Sequence, residues 1–466
     1  MKSEKLYIPK GNTFFARDRQ FYRAFFKLAL LIIFQNIFTY TVNIADNIML
    51  GSYSQAALSG AAAINQIQFV VQAVIASALG QGISIVGSQY WGKNETDPIQ
   101  TLTGIALKIG LAAGAVLTIV ALISPRSLAA IFTSDEVILE QAVQYLEIIR
   151  FTYLFFICTN ILYATLRSMQ IADIAFKLSI MTLLINVGIN YCLIFGKFGL
   201  PELGIQGAAI GTLIARIAEF LVLLIYVAKS KRMPFRFSMH KLLQKDEMLR
   251  RNYLKVTGPC IISMALFSGA TAMQTAIFGH LDSDAIAANA MTNTMYQYCK
   301  IIPIGASSAA GALIGKSVGN REWNKLREYV NSLQFIFIGI GLIAAVLFVF
   351  ISHVLLGFYS LTPTAISYAK QMFVVLGFIV IASGYQSPCL MGIIGGGGDS
   401  RFVMLNDILY AGCFTVPVCL ISAFIFHLGV IPLVILMNID QVFKCITNGI
   451  KVNRYTWIKI WTTENH

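Results

Sequence analysis

Four oxygen-bearing side chains, Asp46, Asn186, Asn190 and Thr212, fall in three separate apolar runs yet at one expected depth. Asp46 stands five residues before Gly51, where its run ends. At a helical rise of 1.5 Å per residue that is about 7 Å from the helix end. Asn186 and Asn190 precede another outer end, Gly196, by ten and six residues, and their i,i+4 spacing puts them on one helix face. Thr212 comes seven residues after Ile205, where a third run starts on the same side. Hard cations such as sodium ask for several oxygens and partial neutralisation of charge, which a carboxylate, two amides and a hydroxyl supply. The other chemistry open to this set is a proton carried by Asp46 alone. A carboxylate in hydrocarbon costs at least about 2.5 to 3.5 kcal/mol, so Asp46 marks a functional position unless it merely bonds within a polar helix bundle.

Other ionisable groups lie in apolar runs and have weaker claims. Arg216 and Glu219 are spaced i,i+3, and Asp440 and Lys444 i,i+4, so each pair can neutralise itself. Asp407 either meets a cationic substrate or pairs with Lys300 or a loop base. These charges are open to a substrate or a structural role.

The elements that must carry these residues follow from composition. Hydrophobic residues make up 57% of the 466 residues and charged residues 12%, and long apolar runs recur throughout. That excludes a soluble domain and predicts an all-α membrane protein. Twelve runs long enough for a bilayer core lie between residues 28 and 450. The chain also repeats itself at an offset of 228 residues: the stretch around Gly51 maps onto that around Gly279, and Val86-Gly87 onto Ile314-Gly315. After a single deletion opposite Trp91, Gly92 and Glu95 fall on Gly319 and Glu322. Six spans per copy is an even number, so both copies enter the membrane from one side, a parallel repeat of the kind that builds many secondary transporters. Arg216 and Lys444 are repeat mates, which favours a shared structural role. Asp46, Asn186 and Asn190 have Gln274, Phe414 and Val418 as mates, so a cation site on the first copy is expected to have no twin.

The net charge of +13 is distributed in alternate loops rather than on a soluble module, which argues against nucleic acid. Lys2, Lys5, Lys10, Arg17, Arg19 and Arg23 lead, and further basic residues follow Lys93, Arg167, Lys229, Lys316 and Lys451, placing both termini in the cytoplasm. Expected boundaries are a cytoplasmic arm at 1–27, a first lobe at 28–228, a linker at 229–253, a second lobe at 254–450 and a cytoplasmic tail at 451–466. The basic, Pro234-interrupted linker reads as a solvated tether near anionic headgroups. Trp91, Trp323, Trp457 and Trp461 read as interfacial anchors, and Gly395 to Gly398 as a hinge or tight turn. The eight cysteines form no CxxC pattern and are expected to be reduced packing residues.

Asp46-Asn47-Ile48-Met49-Leu50-Gly51, then Gly80-Gln81-Gly82 through Gln89-Tyr90-Trp91-Gly92, resembles the multidrug and toxic compound extrusion (MATE) transporters. So does Asn186-Val187-Gly188-Ile189-Asn190 running through Gly196 and Gly204-Ile205-Gln206-Gly207-Ala208-Ala209-Ile210-Gly211-Thr212. The resemblance spans essentially the whole chain. It implies a twelve-helix exporter of two six-helix lobes, a central cavity alternately open to each side, and multidrug efflux by sodium- or proton-coupled antiport. It carries the family's first-lobe cation site onto Asp46, Asn186, Asn190 and Thr212, although some members have an aspartate where this chain has Asn190. Many members also have a proline in the first span where this chain has Leu31.

The implied substrate is a small amphipathic, cationic organic compound, with no cofactor beyond sodium or a proton, membrane lipid as the other partner, and a monomer in the cell membrane. An alternative is a lipid-linked saccharide or lipid flippase of the same superfamily, which would call for extra spans and a strongly cationic cavity. A more distant one is an intramembrane enzyme or receptor. His240, His280, His353, His427 and His466 assemble no constellation for it, and no HExxH or GxSxG motif occurs.

Overall fold

A computed structural model describes residues 13–279, 283–356 and 362–462, so Lys2, Lys5, Lys10, His280 and His466 lie outside the described residues. Most of those residues are helical, with no strand among them. In hydrocarbon every backbone N–H and C=O must bond internally, and a helix does this within one segment. Eleven helices are long and apolar enough to cross a bilayer, and a bent pair supplies a twelfth. We number them α1 (Arg19–Tyr53), α2 (Gln55–Gly92), α3 (Asp97–Ile123), α4 (Glu136–Ile149 with Thr152–Ser168, bent by 53°), α5 (Asp173–Ile194) and α6 (Ile205–Lys229). The second set is α7 (Glu247–Phe278), α8 (Asp284–Gly319), α9 (Trp323–Ser352), α10 (Pro363–Gly395), α11 (Ser400–Phe424) and α12 (Val430–Arg454). The twelve expected spans are thus present once the bent pair counts as one.

Three helices contain a π-helical stretch that sequence periodicity does not signal: Val71–Ser77 in α2, Pro388–Gly395 in α10 and Ile408–Thr415 in α11. A π turn inserts a residue and re-aims the side chains that follow it. Prolines Pro259 and Pro303 sit inside α7 and α8, each removing one backbone hydrogen bond. All eight cysteines are free thiols, five of them buried, in keeping with a packing role.

The chain forms two compact units. Unit 2 comprises Phe34–Ile83 and Glu95–Tyr253, and unit 1 comprises Met1–Ile33, Ser84–Asn94 and Leu254–His466. Within unit 1 each of the duplicated glycines packs against the other copy's backbone. A Cβ on Gly92 would run into the Lys316 carbonyl, and one on Gly319 would run into the Gln89 carbonyl. The two contacts are related by the repeat to within one residue, since Gly92 and Gly319 are repeat mates and Gln89 follows Ser88, the mate of Lys316. The ends of α2 and α8 therefore cross backbone to backbone, as small residues allow in membranes.

Two expectations change. In unit 2 the linker is docked rather than free: the short helix Met239–Leu243 lies on α3, with Lys241 paired to Asp97 and Lys108 Nζ donating to the Leu243 carbonyl at 3.1 Å. The Ser238 N–H donates to Gln100 Oε1 at 3.1 Å, and Gly104 has no room for a Cβ because Leu242 is there. In unit 1 Trp457 is fully buried instead of resting at the headgroups. Its ring fills the place a side chain on Gly397 would take, and its Nε1 donates to the Val452 carbonyl. The glycine run is a buried turn in which Gly398 has φ +107, a conformation L residues rarely adopt. Asp399 beside it is gripped by Lys451 at 3.0 Å and Lys459 at 2.8 Å and accepts from the Phe402 N–H that opens α11. Gln89 closes the turn on its other side, its amide bonding the Lys459 carbonyl at 2.9 Å and the Trp461 N–H at 2.8 Å.

Candidate functional site

In unit 2 the structure brings the four expected oxygen donors together. α5 and α6 can approach closely because Gly207 and Gly211 form a GxxxG step on α6, where a Cβ on Gly207 would meet the Leu193 backbone. That approach lets α5 present Asn186 and Asn190 to Thr212. Asn186 Nδ2 donates to Thr212 Oγ1 at 3.1 Å, and Asn190 Nδ2 reaches both Asn186 Oδ1 at 3.3 Å and Asp46 Oδ1 at 2.6 Å. Both asparagines are fully buried and Thr212 is nearly so. Asp46, from α1, completes the chain of contacts at their rim.

One oxygen in the cluster has no partner. Asn190 Oδ1 is buried without a hydrogen bond, against the Cα of Gly211. A buried carbonyl oxygen left unpaired is worth about 1–3 kcal/mol of lost solvation, a penalty that a bound cation relieves. With both oxygens of Asp46, Asn186 Oδ1, Asn190 Oδ1 and Thr212 Oγ1, the residue types fit a hard monovalent ion. Gly211 is therefore part of the site, and its GxxxG spacing was the sequence signal for it. A Gly211→Ala variant should lose about 1–3 kcal/mol of stability, because its methyl overlaps Asn190 Oδ1. Gly188→Ala on the facing helix, with open space beside it, should lose none. Thermal unfolding of the two purified variants in detergent separates these outcomes.

The charges next to this cluster pair with one another. Arg216 Nη1 meets Glu219 Oε2 at 2.8 Å, Glu219 Oε1 accepts from the Tyr163 hydroxyl at 2.8 Å, and the guanidinium lies over the Phe156 ring at 5.0 Å. The pair neutralises itself, as its spacing suggested.

Unit 1 differs from expectation in one partner. Lys444 Nζ bridges two carboxylates, Asp440 on its own helix at 3.2 Å and Asp407 from α11 at 3.2 Å. Asp407 also accepts from the Ser263 hydroxyl of α7. So Asp407 pairs with Lys444 rather than with Lys300 or a loop base. Gln274, the mate of Asp46, donates through Nε2 to the Met437 carbonyl at 3.2 Å. Asp440 stands 228 residues after Thr212, so it is that residue's repeat mate. The second copy thus keeps polar residues at two of the four equivalent positions, Gln274 and Asp440, with the carboxylate on the last helix of the repeat instead of the first, and has Phe414 and Val418 at the other two.

Comparison with known proteins places the chain as follows. A family model described as MatE matches twice, over residues 32–192 and 259–421. The chain is 25% identical over 447 residues to a probable multidrug resistance protein NorM of Thermotoga maritima, covering 94% of this chain and 93% of that one. It is 27% identical over 287 residues to a probable multidrug resistance protein YoeA of Bacillus subtilis, covering 60% and 61% respectively. The fold resembles the Vibrio cholerae MATE transporter VcmN in the bent form, with TM-score 0.82 at 17% identity over 94% of this chain and 99% of that chain. It also resembles the eukaryotic MATE transporter AtDTX14, with TM-score 0.79 at 17% identity over 95% and 97%.

Proposed function

The chain belongs to the MatE family, and on that premise we propose that it is a multidrug efflux protein that exchanges sodium or protons for an amphipathic organic compound. Its relatives are transporters, and its spans make it a multi-pass membrane protein. The observation that carries the coupling half of the proposal is Asp46 held at 2.6 Å by the Asn190 amide, beside an unpaired buried oxygen. Occupancy by a cation neutralises Asp46 and satisfies Asn190 Oδ1 in one step. Cation and substrate then favour opposite-facing states, so each promotes release of the other. That linkage lets an inward cation gradient drive an organic compound outward through alternating access. The basic loops orient the protein with both termini in the cytoplasm of the cell, where the compound is captured.

The test imposes sodium and pH gradients separately on the same proteoliposomes. Efflux of a fluorescent drug probe should accelerate with one gradient and collapse when that gradient is dissipated. A rate insensitive to both gradients removes coupled antiport.

A further inference from the structure

Among the cavities of unit 1, one of ≈ 110 Å³ is lined by faces of α7, α8 and α12 and by part of α11. Four charges border it: Asp407, Asp440, Lys444 and Lys300. Three of them are spent on one another, since Lys444 is shared by the two carboxylates, Ser263 adds to Asp407, and Gln441 Nε2 donates to both oxygens of Asp440 at 3.1 and 3.0 Å. A cationic ligand would have to displace the Lys444 ammonium to reach either carboxylate.

Lys300 is different. Among the described residues it makes no ion pair and no hydrogen bond, and its ammonium rests on the face of Tyr296, 4.1 Å from the ring centre. A cation–π contact holds an ammonium without using its N–H donors, which remain free for an anion. Asn289, Asn293 and Gln297 border the cavity on the same helix, eleven, seven and three residues before Lys300, so one face of α8 offers amide donors in line with the charge. An ionisable group in a span that faces a cavity and makes no direct ion pair is a functional-site candidate, and Lys300 has only the longer-range pull of Asp440 beside it. The volume is well under the several hundred Å³ of a pocket for a whole drug-sized molecule, and fits a headgroup. Gln274 and Asp440, the mates of Asp46 and Thr212, also line this cavity. The repeat has therefore kept a polar site at one place in each copy while its charge has diverged.

We propose that this cavity binds the carboxylate headgroup of an amphipathic organic compound, with Lys300 as the counter-charge. The inference rests on the export reading for its purpose, and adds that the exported compound carries an acidic group. The acid's oxygens take hydrogen bonds from Lys300 Nζ and the adjacent amides, and the apolar body stays outside the cavity.

Binding can be tested apart from transport. Full-length protein in nanodiscs would be titrated with naphthyl-alkanoates of increasing chain length, each compared with its methyl ester. We expect the acids to bind about tenfold more tightly than the esters, the gain of one charge-assisted contact. Lys300→Gln should erase that preference, Lys300→Arg should keep it, and ester binding should be equal in all three proteins. In the unmodified protein, acetate should displace the acids and leave the esters bound, a measurement that needs no variant to fold. No preference for any acid, or a preference that survives Lys300→Gln, overturns the proposal. Acids that bind through Lys300 but are not moved by proteoliposomes remove the export reading and leave the site standing.

Discussion

Asp46→Asn should abolish cation-driven efflux while the protein still folds and still binds its organic substrate. The change replaces a carboxylate by an amide of the same shape. The substituted side chain keeps a carbonyl oxygen that can accept from Asn190 Nδ2, so the 2.6 Å contact survives in neutral form. What is lost is the negative charge, and with it the free energy that a sodium ion or proton gains at this depth. Asn186, Asn190 and Thr212 offer oxygens but no charge, so they cannot replace it. Drug-probe efflux in proteoliposomes should fall to the level of protein-free vesicles under either gradient. Thermal unfolding should shift little, since isosteric changes that bury no new polar group are usually mild. If sodium is the coupling ion, its stabilisation of the purified protein should vanish with the charge. Undiminished gradient-driven efflux by the variant would take Asp46 out of the mechanism.

The second large effect concerns stability. Lys444→Met leaves Asp407 and Asp440 without their shared ammonium, at side-chain exposures of 12% and 7%. Removing one partner of a buried ion pair costs about 3–5 kcal/mol, and here two carboxylates lose theirs at once. We expect a sharp drop in unfolding temperature and in the amount of folded protein recovered from membranes. The triple variant Lys444→Met, Asp407→Asn, Asp440→Asn should recover most of the loss, because no uncompensated charge remains. The corresponding change at its repeat mate, Arg216→Met, exposes a single carboxylate that keeps its Tyr163 hydrogen bond, and should cost less. Equal stability of Lys444→Met and the parent protein would show that the bridge has no structural role.

The contrast between these residues shows what could be read from the chain. Depth along a helix and i,i+4 spacing are local quantities, and they sufficed to group Asp46, Asn186, Asn190 and Thr212 before any contact was known. The Arg216–Glu219 pair was legible for the same reason. Asp407–Lys444 was not, because the partners sit on different helices and the choice among Lys444, Lys300 and a loop base depends on rotation about each helix axis. Trp457 misled for a related reason: aromatic residues at span ends usually meet headgroups, and only a tertiary contact with Gly397 reveals a socket for the ring. The expected asymmetry of the cation site was drawn from Asp46, Asn186 and Asn190, without the mate of Thr212. Comparing Asp46 with Gln274 hides the transfer of the acid to Asp440, opposite Thr212.

The socket around Gly397 bears on how the protein is made. Unit 2 is complete once Tyr253 has been synthesised, so every residue it needs is available while the ribosome is still at work. Unit 1 is not, because Gln89 finds its partners only at Lys459 and Trp461, some 370 residues later. The C-terminal end of α2 must therefore wait, its glutamine amide without these partners, through most of translation. Domains generally settle in the order in which they emerge. Here the interleaving of segments imposes a delay on one unit and leaves the other free to form early.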